Sequence, residues 1–120
     1  MKVLVCDDDE VVLKVIQVAL EAEHLEVKLA RDGNQALALL SEYPDIDLII
    51  TDIHMPHRNG DEILTQVRAD KKRKIPIMMI SSDSDEDVVK MALRLGVDEF
   101  LPKPVDPKVV KQKVKKLLKT

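Results

Sequence analysis

Four acids follow the first apolar run of the chain, where residues 3–10 read VLVCDDDE. Like charges about 4 Å apart repel by about 4 kcal/mol at an effective dielectric near 20, whereas a whole domain is stable by only about 5 to 15 kcal/mol. A divalent cation would offset the repulsion among Asp7, Asp8 and Asp9, because carboxylate oxygens are ligands that suit Mg²⁺. Asp9 is better explained as a helix cap, the usual role of a single Asp after a strand. The sequence therefore predicts a metal site at Asp7 and Asp8.

Other groups that bear on this chemistry lie at the ends of later apolar runs. Asp52 ends the third run, Ser81 and Ser82 end the fourth, and Lys103 follows the fifth. Taken singly, Ser81 could be a helix cap and Lys103 ordinary surface. If the runs are parallel strands, their carboxyl ends meet at one edge of the sheet, so these groups would converge on one crevice. Such a crevice suits Mg²⁺, a hard ion that keeps waters and bridges to phosphate.

Strand-like runs alternate with segments of helical period along the whole chain. The apolar runs of strand length are residues 3–6, 25–30, 47–51, 77–80 and 97–101. The helical segments carry apolar residues three or four positions apart, within residues 12–20, 36–40, 63–67, 88–95 and 110–117. Five repeats of strand and helix imply parallel strands with right-handed crossovers and helices on both faces of the sheet.

The character of each run predicts the place of its strand in the sheet. The first, third and fourth runs are continuously apolar, as expected for strands that are buried on both faces. The second run alternates and the fifth is charged, which favours the two edges. The prediction is an α/β, flavodoxin-like (βα)5 doubly wound parallel sheet with strand order 2-1-3-4-5. In such sheets ligands bind beyond the carboxyl ends of the strands, at the switch point between strands 1 and 3, where the acids would lie.

Size and composition limit the class of protein. The 120 residues fit one domain over residues 1–120. The single cysteine, Cys6, lies in the first apolar run, which predicts a buried free thiol in a reducing compartment. The apolar run before the acids is too short for a signal peptide, and no apolar stretch approaches the eighteen residues of a membrane span. We therefore expect a cytoplasmic protein with no membrane contact.

Charge is unevenly distributed along the chain. The formal net charge is −3, yet seven lysines and one aspartate lie from Pro102 onward. Lysine-rich helix faces are more often solvated surface than nucleic-acid sites, and only Tyr43 and Phe100 are available to stack on bases. We therefore expect no direct nucleic-acid contact by this domain.

The motifs taken together resemble those of a bacterial two-component response regulator receiver domain of the chemotaxis-receiver type, over the whole chain. The matching features are the acid pair Asp7 and Asp8 after VLVC, the D-x-x-M-P motif from Asp52 to Pro56, Gly60, the strand 4 hydroxyl Ser81, and Phe100 with Lys103 and Pro104. Five spaced motifs in the same order make this resemblance specific.

The resemblance implies a signalling phosphoacceptor switch that catalyses only its own phosphorylation and dephosphorylation, and is otherwise not an enzyme. Asp52 would take a phosphoryl group from a histidine kinase or a histidine phosphotransfer protein. Mg²⁺ or Mn²⁺ would be held by Asp8, Asp52 and the backbone carbonyl of His54, with Asp7 acting directly or through water. Lys103 and Ser81 would act beside Asp52 as catalytic groups.

The resemblance also implies how the signal leaves the domain. Ser81 and Phe100 would form the switch that alters the face made by helix 4, strand 5 and helix 5, which binds an effector or an output domain. His54 and Asp83 occupy positions that tune hydrolysis of the acyl phosphate, and the Lys103–Pro104 bond is expected to be cis. A homodimer formed on phosphorylation stays open, as does the choice between a free-standing receiver and a domain of a longer regulator or hybrid kinase.

Four rival interpretations are weaker. A phosphatase of the haloacid dehalogenase type needs a second Asp two residues beyond its nucleophile, where this chain has His54. A flavin-binding module of the same topology would need hydroxyls and glycine in its first loop, where this chain has acids. A pseudo-receiver would normally lack an acid, the lysine or the hydroxyl. A zinc site built from His54 and His57 with Cys6 or Asp52 matches no common ligand spacing.

Overall fold

The computed structural model describes residues 1–52, 60–69, 74–81, 90, 92–94 and 96–118. The strands are β1 Lys2–Cys6, β2 Glu26–Ala30, β3 Ile46–Asp52, β4 Ile77–Ser81 and β5 Glu99–Pro102. The helices are α1 Glu10–Glu21, α2 Gly33–Glu42, α3 Gly60–Ala69 and a C-terminal helix, Pro107–Leu118. Residues 90 and 92–94, in the fourth predicted helix, are helical as well. None of the helices in the described parts of the chain is long and apolar enough to cross a membrane.

The five strands form one sheet in the order β2-β1-β3-β4-β5, and every neighbouring pair is parallel. This order confirms the predicted flavodoxin-like α/β architecture. The prediction succeeded because burial differs between strands. Residues 3–6 of β1 are fully buried, whereas β2 is buried only at Ala30 and β5 only at Leu101.

Alternate side chains of the central strands pack into two separate cores, one on each face of the sheet. Leu4 of β1 packs in the core that contains residues of α2 and α3, such as Ala36 and Ile63. Val5 packs in the other core, with residues of α1 and the C-terminal helix. Each fully buried Leu, Ile or Val contributes about 1.5 to 3 kcal/mol relative to an exposed position. The two cores therefore hold the sheet rigidly between helix layers.

The parallel arrangement brings the ends of four strands to one edge of the sheet. Cys6 pairs with Thr51, and Asp52 pairs with Ile80 of β4. Ser81 in turn pairs with Pro102. Residues that follow β1, end β3 and follow β5 are thereby neighbours in space although they are far apart in the sequence.

Candidate functional site

Asp7 is the first residue after β1 and is fully buried. Its backbone N–H donates to the carbonyl of Ala30 at 3.1 Å, and its Oδ1 atom accepts the N–H of Asp9 at 2.8 Å. The Oδ2 atom accepts no hydrogen bond from the described residues. Burial raises the pKa of Asp7 to about 6, and the charge of Asp52 adds to this rise, although the Asp9 N–H and Lys103 oppose it. The carboxylate is thus held in place but is not fully satisfied by the chain.

Asp9 has the structural role that the sequence predicted. Its Oδ1 atom accepts the N–H of Val11 at 2.9 Å, and its carbonyl accepts the N–H of Leu13 at 3.1 Å. These are the bonds of an N-cap, so the third acid begins α1. Of the three aspartates in this run, Asp7 and Asp8 are therefore left for the site.

Asp52 is the last residue of β3, and only 6% of the residue is exposed. The Lys103 ammonium donates to Asp52 Oδ2 at 3.0 Å and lies 3.3 Å from Asp7 Oδ2. Partial burial alone would lower the pKa of Lys103, but the hydrogen bond to Asp52 and the charges of both acids outweigh it, so the pKa is raised. Lys103 is therefore a firmly charged cation between two acids, and its peptide bond to Pro104 is cis, as predicted.

One carboxylate oxygen from each of Asp7, Asp8 and Asp52 lies within 4.8 Å of the other two. Asp7 and Asp52 are buried and Asp8 is exposed, so the cluster opens to solvent on one side. We call these three acids with Lys103 the acidic mouth. Three carboxylates against one ammonium leave two negative charges, and Asp7 Oδ2 accepts no hydrogen bond from the described residues. Hard oxygen donors of this charge and arrangement fit Mg²⁺.

The remaining predicted site residues are only partly described. Ser81 ends β4 one position beyond Ile80, which is the partner of Asp52 in the sheet, so its backbone lies beside the acidic mouth. Phe100 of β5 is partly buried against the core, and its carbonyl accepts a hydrogen bond from Lys113. The predicted tuning positions, the zinc alternative and the rest of the D-x-x-M-P motif lie outside the described residues: Ile53 to Pro56, His57, Ser82 and Asp83.

Sequence reasoning missed an ion pair beside the acidic mouth, between Arg31 and Glu10. A signal for its position was present in the sequence. Asp32 is followed three residues later by Gln35, the spacing of a capping box. In the structure Asp32 caps α2, and the Gln35 side chain accepts the N–H of Arg31. The sequence could have fixed the turn that carries Arg31, but not its partner.

The predicted free thiol is also observed. Cys6 is a free cysteine and is fully buried, and its thiol donates to the carbonyl of Asp32 at 3.3 Å. Burial raises the pKa of Cys6 to about 12, so the thiol stays neutral at physiological pH. It links the end of β1 to the start of α2 and supports the loop beside the site.

Known sequences match this chain over nearly its whole length. Residues 3–115 match the family model of the response regulator receiver domain. The chain is 37% identical over 122 residues to a chemotaxis protein CheY homolog of Campylobacter jejuni, with 100% of this chain and 94% of that protein covered. It is 35% identical over 118 residues to the alkaline phosphatase synthesis transcriptional regulatory protein PhoP of Bacillus subtilis, with 98% of this chain and 48% of that protein covered.

Solved structures are similar over nearly the whole chain. The chemotaxis response regulator CheY4 of Vibrio cholerae superimposes with a TM-score of 0.89 at 27% identity, covering 97% of each chain. A CheY-like response regulator receiver domain protein of Methanospirillum hungatei gives a TM-score of 0.90 at 26% identity, covering 98% of this chain and 93% of that one. The fold is thus that of a known group of proteins.

Proposed function

The chain belongs to the response regulator receiver domain family, and from this premise we propose that Asp52 accepts a phosphoryl group from a histidine kinase or a histidine phosphotransfer protein. Receivers of this type are phosphorylated by histidine kinases and pass the signal to output domains or partners. One observation carries the proposal for this chain. The nearly buried Asp52 carboxylate lies 3.0 Å from the Lys103 ammonium and within 4.8 Å of two further carboxylates.

The reaction is a direct transfer between two side chains. An oxygen of Asp52 attacks the phosphorus of a phosphohistidine, so an O–P bond forms and the P–N bond breaks. The electron pair of the broken bond stays on the imidazole nitrogen, and Asp52 becomes an acyl phosphate. Attack by water later returns the carboxylate and inorganic phosphate. The domain thus catalyses only its own modification and is a switch rather than a classical enzyme.

Lys103 stabilises the charge that this reaction brings into the site. Its ammonium already donates to Asp52 Oδ2, so it is close to the place where the phosphoryl oxygens would lie. A preorganised cation costs no reorganisation at the moment of transfer. We assign Ser81 the second contact, through its hydroxyl, because β4 ends beside Asp52 in the sheet. Both groups act by electrostatics and position.

The acidic mouth would also be the site of a bound metal ion. Asp7, Asp8 and Asp52 would hold Mg²⁺ or Mn²⁺, and the backbone carbonyl of His54 remains a predicted fourth donor. The Oδ2 atom of Asp7 supports this assignment, because it is buried and accepts no hydrogen bond from the described residues although the Lys103 ammonium lies 3.3 Å away, and a buried carboxylate oxygen without a hydrogen bond is costly. When bound, the cation would neutralise charge on the transferring phosphoryl oxygens.

We propose that the signal leaves through Phe100 and the adjacent surface. Ser81 would move toward the phosphoryl group, and Phe100, on the neighbouring strand β5, would repack in the space that is vacated. The face formed by the fourth helical segment, β5 and the C-terminal helix would then bind an effector. Lifetime of the acyl phosphate would be tuned at His54 and Asp83. Residues 1–120 act in this proposal as one receiver domain, with a homodimer as an alternative readout.

Phosphorylation with a small donor tests the proposal. The chain is incubated with Mg²⁺ and acetyl phosphate, and its intact mass is measured. We expect a gain of one phosphoryl group that disappears in Asp52→Asn. Asp45→Asn is the matched control, because Asp45 is an exposed acid that pairs with Lys2 at the other end of the strands. The absence of a gain, or a gain that survives Asp52→Asn, would reject the assignment.

A further inference from the structure

A bidentate ion pair borders the acidic mouth. The Nε atom of Arg31 lies 2.5 Å from Glu10 Oε1, and its Nη2 atom lies 3.3 Å from Glu10 Oε2. Arg31 follows β2, and Glu10 is the first residue of α1. The pair therefore joins the two loops that leave neighbouring strands at the edge where Asp52 lies.

The sheet register puts this pair next to the site. Cys6 pairs with Ala30, and the N–H of Asp7 donates to the Ala30 carbonyl, so the backbone of Arg31, the residue after β2, lies next to that of Asp7, the residue after β1. Adjacent strands are about 4.7 to 4.9 Å apart. Because β2 and β5 are at opposite ends of the sheet, Arg31 and Lys103 follow strands on opposite sides of β1 and β3, whose ends carry the acids.

The local structure fixes the position of Arg31. Its backbone N–H donates to Gln35 Oε1 at 2.8 Å, and its guanidinium is held by both oxygens of Glu10. The two side chains are nevertheless 48% and 65% exposed. Exposed pairs contribute about 0 to 1 kcal/mol to stability, so a contribution to folding is a weak explanation for this arrangement. The positive charge of Arg31, in contrast, would act on any charged ligand that enters the acidic mouth.

We propose that Arg31 sets the electrostatic potential at the acidic mouth by cancelling the charge of Glu10, the fourth acid in the run that begins at Asp7. Without this cancellation the mouth would attract a metal cation more strongly but repel the phosphodonor, which is an anion. Arg31 thereby balances two ligands of opposite charge. The inference deepens the proposed function and rests on it for the identity of the anion.

The balance predicts changes of opposite sign in two measurements. In Arg31→Gln, Mg²⁺ should bind about two- to fourfold more tightly at an ionic strength of about 0.1 M, while the rate of phosphorylation by acetyl phosphate at saturating Mg²⁺ falls by a similar factor. Glu10→Gln leaves the Arg31 charge in place and should shift both quantities in the reverse direction. Mg²⁺ affinity is measured by isothermal titration calorimetry and the rate by intact mass.

The pair of Lys115 with Glu23 provides a matched control. It also joins one base to one acid, with 3.5 Å between Nζ and Oε2, but Glu23 lies just beyond the other end of α1. The twelve residues of α1 span about 18 Å, which is well beyond the Debye length of about 10 Å at 0.1 M salt. Lys115→Gln should therefore change neither measurement. The double swap Glu10→Arg with Arg31→Glu should restore both to within about twofold, because the mouth regains its net charge.

The results separate this inference from a purely structural role. A staple between two loops would, when removed, lower Mg²⁺ affinity and phosphorylation together and would not respond to salt. Charge effects should vanish near 1 M salt, where the Debye length is about 3 Å. Parallel changes, or no change in Arg31→Gln, would overturn the inference. If the wild type were not phosphorylated, the proposed function would fail, and the calorimetric shifts alone would decide the role of Arg31.

Discussion

Charged side chains cluster at both ends of the central strands, but the acids at the two ends differ in burial and in their hydrogen bonds. At the amino-terminal edge, Lys2 lies 2.7 Å from Asp45 and 3.5 Å from Glu26, and its backbone N–H donates to Asp47 at 2.8 Å. The carboxylates of Glu26 and Asp45 are more than half exposed. At the acidic mouth, by contrast, Asp7 and Asp52 are buried, and one oxygen of Asp7 accepts no hydrogen bond from the described residues.

The pKa shifts express the same contrast. The hydrogen bond with Lys2 lowers the pKa of Asp45, whereas burial raises the pKa of Asp7. Asp45 therefore ionises more readily than usual, and Asp7 less readily. An acid that is satisfied by its neighbours stabilises a fold, whereas a buried acid that is not satisfied indicates a ligand. The difference lies in burial and pairing, and not in the number of acids.

Removing the lysine at each edge should give the largest difference between the two edges. Lys103→Ala should slow phosphorylation of Asp52 by about 10² to 10³, the usual effect of losing one donor that stabilises transition-state charge. Lys2→Ala removes a lysine that also pairs with two acids, but it should leave the rate unchanged. The rates are measured with acetyl phosphate and intact mass. Equal losses in the two variants would show that the lysines act only through the fold.

Much of this picture could be predicted from the sequence, because it depends on local patterns. Continuous apolar runs identify β1, β3 and β4 as central strands, and parallel strands must bring their carboxyl ends together. Those two facts predict that Asp7, Asp52 and Lys103, which lie at the carboxyl ends of strands, are close together in space.

Contacts between side chains that are distant in the sequence could not be predicted in the same way. Arg31 and Glu10 are separated by 21 positions, and no local pattern in the sequence couples them. The same holds for Tyr43, whose ring lies 4.8 Å from the Lys2 ammonium and 4.5 Å from that of Lys28. Long polar side chains have many rotamers, so only the folded backbone selects their partners.

Neutralising Asp7 tests the contrast between the two edges through the free energy of unfolding. Asp7→Asn should raise the free energy of unfolding of the metal-free protein, because it removes a buried charge beside Asp52 while Oδ1 can still accept the Asp9 N–H. It should also remove most of the stabilisation by Mg²⁺, which in the wild type reaches about 2.7 kcal/mol at 100 times the dissociation constant. Thermal melting with and without Mg²⁺ measures both effects.

The pH dependence of melting provides the control. Burial raises the pKa of Asp7 from 3.8 to about 6. The unfolded chain therefore releases this proton at lower pH than the folded chain, and the metal-free wild type loses stability as the pH rises through this window. Asp7→Asn should lack that loss. A variant that melts below the wild type at pH 8 without metal would contradict the idea that this charge is tolerated only for a ligand.

Asp45→Asn should give the smallest effect, because the pair that it breaks is exposed. The hydrogen bond to Lys2 lowers the pKa of Asp45, so the pair stabilises the fold above the unfolded pKa and this contribution is lost as the pH falls through the folded one. We expect a small drop in melting temperature at pH 7 that disappears in acid and shrinks in high salt. Mg²⁺ affinity and phosphorylation should stay unchanged, since Asp45 precedes β3 whereas Asp52 ends it. A change in either would mean that the two edges are coupled, and the contrast between the exposed acid paired with Lys2 and the buried acids of the mouth would then no longer explain why a ligand is proposed at only one edge.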